Sequence, residues 1–216
     1  MNIIVFGSTG GTGLAVSAAL AAAGHGVTAF ARDPAKLRAV PGVTPVRGDV
    51  MNPADVSRAM NGHDLVIVSL GNSQNPFAMM LGARRTTPAN VCEIGTRNII
   101  VAMQAANVPR LLVVSAFGIG DTRANLPFAF KLFYRTVLRE HMADKERQEA
   151  LVKASGRDWT LVQPVGLTDG PATNNWLADT KGVIRRQQMS RADVAAFLVS
   201  LVPGDQYSRT TVALSG

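Results

Sequence analysis

Short apolar runs alternate along this chain with longer stretches in which apolar side chains return every three or four positions. The runs Asn2–Phe6, Gly26–Ala31, Thr44–Arg47, Asp64–Leu70, Leu111–Val114, Trp159–Gln163 and Thr210–Leu214 predict strands. Asp64–Leu70 is apolar throughout its middle, as a strand covered on both faces must be. Leu14–Ala23, Pro53–Met60 and Pro88–Asn107 predict helices, the last with Val91, Ile94, Gly95, Asn98, Ile99, Ala102 and Met103 on one face. A short helix is expected over Pro34–Val40 and a long one over Leu126–Ser155, stopped by Gly156. A last helix should run to Val202, with Ser190 as its cap and Asp193 three residues on. Thr168–Thr180 predicts a loop and Gly182–Arg186 a short strand. Strand and helix alternate without an internal repeat or linker. That pattern predicts one α/β domain over residues 1–216, a doubly wound parallel sheet with helices on both faces.

The first thirty-odd residues carry the most specific chemistry. Between the first strand and its helix stands Gly7-Ser-Thr-Gly-Gly-Thr-Gly13. Gly7 lets the chain turn off the strand, Gly10 lets a pyrophosphate approach the backbone, and Gly13 lets the helix pack close to the sheet. Free N–H groups at the helix start, with the helix dipole behind them, suit phosphate. Strand, glycine turn, helix and strand make the dinucleotide-binding unit of a Rossmann fold, so Gly7, Thr9, Gly10, Gly11, Thr12 and Gly13 are candidate cofactor ligands. The second strand ends at Arg32, where an NAD site usually has Asp or Glu for the ribose 2′-hydroxyl. Arginine suits a 2′-phosphate instead, and Lys36 one turn on adds a second charge. Asp33 reads as the cap of the helix beginning at Pro34. NADP(H) is therefore expected over NAD.

More candidates fall just after later strands. Asp49, beside Val50, would hydrogen-bond the adenine amino group, cap a turn, or do both. Ser69-Leu70-Gly71 closes the fourth strand, opposite the first. Ser115-Ala116-Phe117 closes the fifth, where the nicotinamide should lie, and Gln163-Pro164-Val165 turns over the end of the sixth. Their gathering on one rim of a parallel sheet is a stronger signal than any one of them. Met79 and Met80, in the long segment Asn72–Thr87, line an adaptable pocket or pack beneath the loop. Phe128, Phe130, Phe133 and Tyr134 wall a flat-ring pocket, or pack in the core or a dimer. The pairs Lys145/Glu149 and Glu149/Lys153, four residues apart, read as a solvated helix face.

Composition narrows the field. Of 216 residues, 47% are hydrophobic, ample for a core, and 17% are charged, low for a disordered chain. No apolar run reaches the ~18 residues that span a membrane. No basic region precedes the first apolar stretch, so no signal peptide is expected. The single Cys92 excludes an internal disulfide, fits a reducing cytoplasm, and reads as core packing on an apolar helix face. The net charge of +7 attracts anions, but its residues are scattered, with doublets only at Arg84-Arg85 and Arg185-Arg186 and no interleaved aromatics. An anionic cofactor and a small-molecule acceptor are the expected partners, not nucleic acid or a membrane. The chain itself should be a monomer or homodimer.

The usual acid pair of a short-chain dehydrogenase, Tyr-x-x-x-Lys, is absent: four residues after Tyr134 and Tyr207 stand Leu138 and Thr211. His25 and His63 fall in turns and read as surface residues. His141, in the long helix, also has the surface habit of its residue type, with a pocket as the alternative. No metal-ligand spacing and no Gly-x-Ser-x-Gly element appear. A site without a dedicated acid can still pass hydride when cofactor and acceptor do the chemistry, the protein supplying orientation and exclusion of water.

Gly7-Ser-Thr-Gly-Gly-Thr-Gly13, Ala31-Arg-Asp33, Gly48-Asp-Val50, Val66-Ile-Val-Ser-Leu-Gly71, Gly95-Thr-Arg-Asn98 and Ser115-Ala-Phe117 together resemble the NADPH-dependent flavin reductase/biliverdin reductase B-like family. These are atypical short-chain dehydrogenases with NmrA-like NAD(P)-binding relatives. The similarity runs in order over residues 1 to 170, with a weaker echo around Ser190–Phe197. It implies a Rossmann fold, NADP(H), a shallow pocket for planar acceptors such as flavins, Arg32 on the 2′-phosphate, and Ser115 as the catalytic residue. One departure touches the acceptor: the family's active-site histidine follows a proline after the sixth strand, and here Pro164 is followed by Val165. Hydride transfer from NADPH to a flavin, quinone or tetrapyrrole-like acceptor is the expected function. A non-catalytic NADP(H)-binding regulator is the alternative.

Overall fold

Helical crossovers return the chain to the same edge after almost every strand, so the main sheet is parallel. The computed structural model describes residues 1–37, 40–71, 84, 86–126 and 136–216. In chain order these form β1 (Asn2–Phe6), α1 (Gly11–Ala22), β2 (Gly26–Ala31), β3 (Val43–Arg47), α2 (Pro53–Met60), β4 (Leu65–Val68), α3 (Val91–Ala105) and β5 (Arg110–Val114). There follow α4 (Arg139–Lys153), β6 (Asp158–Pro164), β7 (Gly166–Thr168), β8 (Leu177–Asp179), β9 (Gln188–Ser190), α5 (Arg191–Ser200) and β10 (Thr210–Ser215). The eight-stranded sheet has the order β3-β2-β1-β4-β5-β6-β10-β8. Only β8 is antiparallel, pairing Ala178 with Leu214 of β10. The order reverses at β1, which pairs with β2 on one side and β4 on the other. A doubly wound sheet opens its ligand crevice at that switch point, beyond the carboxyl ends of the strands.

Alternation along the strands divides the core into two layers. Ile3, Val5, Leu65, Ile67, Leu112 and Val162 face α1 and α5, packing on Val16, Leu20, Val194 and Leu198. Ile4, Phe6, Val66, Val68, Leu111 and Leu161 face the other way, onto Val56, Met60, Ile99, Met103 and Val152 of α2, α3 and α4. The doubly wound Rossmann architecture expected from the pattern is thus the one the chain adopts. Asn52 caps α2 by accepting from the Ala54 N–H, and Ser190 caps α5 by accepting from Asp193.

Several expectations need correction. In the short helix expected over Pro34–Val40, Pro34–Leu37 is a 3-10 turn and residues 38 and 39 lie outside the described residues; the Asp33 carboxylate caps the turn at the Ala35 N–H. Of the helix expected over Leu126–Ser155, Arg139–Lys153 is α-helix and residues 127–135 lie outside the described residues; a 3-10 turn stands before them at Gly120–Asn125. Gly182–Arg186 forms no strand. Gln188–Ser190 does so instead, pairing with Gly166–Thr168 as a separate two-stranded sheet. Within the expected loop Thr168–Thr180, Leu177–Asp179 is the edge strand β8. His63 is half-buried, its Nε2 2.9 Å from the Thr28 hydroxyl. Met79, Met80, Phe128, Phe130, Phe133 and Tyr134, with the Lys36 side chain, lie outside the described residues.

Candidate functional site

The glycine turn is shaped by contacts that leave no room for side chains. Gly7 leaves β1 at φ +80°, and a Cβ there would sit 2.3 Å from the Ser69 carbonyl oxygen. At Gly13 a Cβ would sit 2.2 Å from the Gly7 oxygen, so α1 can press onto the turn only as glycine. The buried Ser8 hydroxyl ties the turn to β2 by donating to the Phe30 carbonyl at 3.0 Å. Gly10 is the N-cap of α1 and offers no side-chain cap, and the first turn holds no acidic residue. The helix end therefore keeps backbone donors and a positive dipole end facing outward, which suits a phosphate.

A cleft of about 370 Å³ opens beside this turn. Of the residues expected to bind a cofactor, Gly7, Thr9, Gly10, Gly11, Arg32, Asp49, Val50, Ser69, Leu70 and Gly71 line it. Thr12 and Gly13 are buried just behind it. Arg32 is exposed at the mouth, with Nη1 3.4 Å from the Thr86 carbonyl. A second, shallower hollow adjoins, lined by Arg32, Arg47, Arg58, Asp49 and Asp55. The Asp49 carboxylate accepts from Met51 N at 3.0 Å, and the Asp49 N–H donates to Asp55. That backbone bond holds the Asp55 carboxyl below its ordinary value. Asp49 thus forms a turn and lines the cleft at once.

Ser115 sits in a different environment. It is 5% exposed, and its hydroxyl donates to Glu149 Oε1 at 2.5 Å. Gln163 Nε2 donates to the same oxygen at 2.7 Å, while Gln163 Oε1 accepts from Thr122 at 2.7 Å. Glu149 Oε2 is buried without a hydrogen-bond partner. Desolvation pushes the Glu149 carboxyl above its ordinary value, against the lowering effect of its bonds to Ser115 and Gln163. Gln163 is fully buried, and Phe117, Pro164 and Val165 are buried beside it; Ala116 is half-buried. Ser115, Ala116, Phe117, Gln163, Pro164 and Val165 are thus absent from the lining of the open cleft and belong to the packed ends of β5 and β6.

The second half of the long helix is not a solvated face. Asp144, Gln148 and Glu149 are all buried. The Asp144 carboxylate accepts from the N–H groups of Cys92 and Glu93, capping α3 from another helix. Lys145 Nζ donates to the carbonyls of Leu70 at 3.1 Å and Val114 at 3.0 Å, bridging the ends of β4 and β5. The sequence carried one signal for this: His141 and Lys145 stand four apart on the helix before β6, the spacing of Tyr-x-x-x-Lys with histidine in the first position. Cys92 packs in the core as expected, and burial pushes its thiol up to about 12. No cluster that could hold a metal ion occurs among the described residues, and none of their helices is long and apolar enough to cross a membrane.

The sequence profile of an NAD(P)H-binding family matches residues 7–204. The chain belongs to that NAD(P)H-binding family. It is similar to reductase pytE of Aspergillus terreus, 26% identical over 206 residues, 78% of this chain and 76% of that one. Solved structures share the fold of this NAD(P)H-binding protein. One is the anaerobillin reductase ChuY of Escherichia coli O157:H7, 23% identical with a TM-score of 0.75 over 100% of this chain and 97% of that one. Another is a short-chain dehydrogenase/reductase of Veillonella parvula in complex with NADP, 17% identical with a TM-score of 0.78 over 100% and 94%.

Proposed function

We propose that this NAD(P)H-binding protein is an NADPH-dependent reductase of the atypical short-chain dehydrogenase kind, passing hydride to a planar acceptor such as a flavin, quinone or tetrapyrrole. The observation that carries the reading is Arg32 at the mouth of the glycine-turn cleft, with Arg47 and Arg58 around the adjoining hollow. A 2′-phosphate there would meet guanidinium where an NAD site would present a carboxylate. The reductase names of pytE and ChuY support the reaction class.

The bound cofactor supplies the hydride. The chain supplies the rest. Gly11 and Thr12, in the first turn of α1, would present backbone donors to the pyrophosphate. Lys145 ties the ends of β4 and β5 together, and would hold them still beneath a bound nicotinamide. Ser115 has its hydroxyl hydrogen committed to Glu149, so toward a cofactor at the end of β5 it would act as an acceptor. No tyrosine acid takes part, so the acceptor draws its proton from solvent.

The test is turnover. Purified protein with NADPH and an excess of FMN or a simple quinone should oxidise NADPH faster than the uncatalysed mixture. Tight NADPH binding without that oxidation would replace this reading with that of an NADP(H)-sensing regulator.

A further inference from the structure

A cation in the first turn of a helix faces the positive end of the macrodipole, so helix stability does not call for one there. Arg191 is the first residue of α5. Because α5 packs along α1, its side chain lies over the start of that helix. An atom at the Cβ position of Gly11 would stand 2.9 Å from Arg191 Nε, 3.0 Å from Cδ and 3.6 Å from Cζ. Gly11 is the first residue of α1, lines the cleft, and belongs to a helix end with no side-chain cap.

Resting on the cofactor reading above, we propose that Arg191 is a second cationic ligand of the dinucleotide, closing from α5 over its pyrophosphate while Arg32 holds the far phosphate. The partner of its Nη1 is Asp169 Oδ1, on a side chain that is 88% exposed against 29% for Arg191. That carboxylate holds the guanidinium beside Gly11 through one nitrogen. Arginine has five N–H donors in a planar fork, so a phosphate can be engaged without breaking the pair. The bareness of Gly11 is explained in the same way: a methyl group there would push the guanidinium off the turn.

Two ligands separate this role from packing: NADPH, and adenosine 2′-phosphate, which has the phosphate that Arg32 would meet but no pyrophosphate. Binding is read from the cofactor's fluorescence, with the second ligand competing. Arg191→Ala should weaken NADPH roughly tenfold or more and change adenosine 2′-phosphate by about twofold or less. Arg191→Lys, which keeps charge but not the fork, should recover part of the loss. Unchanged NADPH affinity in Arg191→Ala, or an equal loss for both ligands, would overturn the proposal. Arg191→Gln carries the same comparison if the alanine variant fails to fold. Failure of the unaltered protein to bind NADPH would instead overturn the cofactor reading itself.

Discussion

The glycine turn and the polar cluster behind Ser115 meet the same rim of the sheet but are built in opposite ways. At the turn, specificity comes from side chains that are missing: Gly7 and Gly13 stand where a Cβ would overlap backbone, and the donors left facing outward are main-chain N–H groups. Around it the charges are exposed, as Arg32, Arg47 and Arg58 are. Behind Ser115 the polar groups are buried and answer one another, Ser115 and Gln163 both donating to Glu149. The first region is poised to gain partners from a ligand. The second has already met most of its needs internally, and its role is to hold strand ends still.

The contrast can be tested from its strongest point downward. Gly7→Ala should cost about 3 kcal/mol of folding stability, since it combines positive φ with overlap on a fixed carbonyl. Denaturant unfolding measures this, and a cost well under 1 kcal/mol would show that the turn relaxes. Arg32→Ala should weaken NADPH relative to NADH by about 2 kcal/mol or more while leaving stability nearly unchanged. Equal losses for both cofactors would make Arg32 a structural residue and blur the distinction.

The smallest expected effect concerns Glu149, and its sign follows from the raised pKa. As pH rises past the ordinary glutamate value, the unfolded chain releases this proton before the folded one does. Stability contributed by the neutral carboxyl is then lost until the folded group ionises as well. Lys153 and Asp121 are the charges acting on it, with Ser115 and Gln163 as its bonded neighbours. Glu149→Gln removes that titration. It should be more favourable, relative to the unaltered protein, at pH 8 than at pH 4. Parallel stability profiles for the two proteins would mean that the carboxyl titrates as an ordinary one.

Sequence spacing revealed the turn because its constraints are local: a strand, four glycines and a helix follow one another between Asn2 and Ala22, and Arg32 follows the next strand. Ten of the expected cofactor ligands line one cleft, five of them from this stretch and five from the ends of β3 and β4 on the same rim of the parallel sheet. The cluster around Glu149 was illegible because its partners are scattered through the chain. Lys145, Glu149 and Lys153 carry the spacing of exposed ion pairs, yet Lys145 bonds to backbone at Leu70 and Val114, and Glu149 to Ser115 and Gln163. Only tertiary packing determines which side of such a helix is inside. The exchange of Gly182–Arg186 for Gln188–Ser190 as a strand has a similar cause, since the pairing partner at Gly166–Thr168 outweighs local composition.

The rims of the sheet bear on how copies of this chain can associate. At one end β3 carries Pro45, which has no N–H to offer an arriving strand. At the other, β8 is three residues long, and Asp179 turns the chain back by accepting from the N–H groups of Lys181 and Val183. Both ends are therefore poor templates for an added strand, which works against strand-by-strand growth.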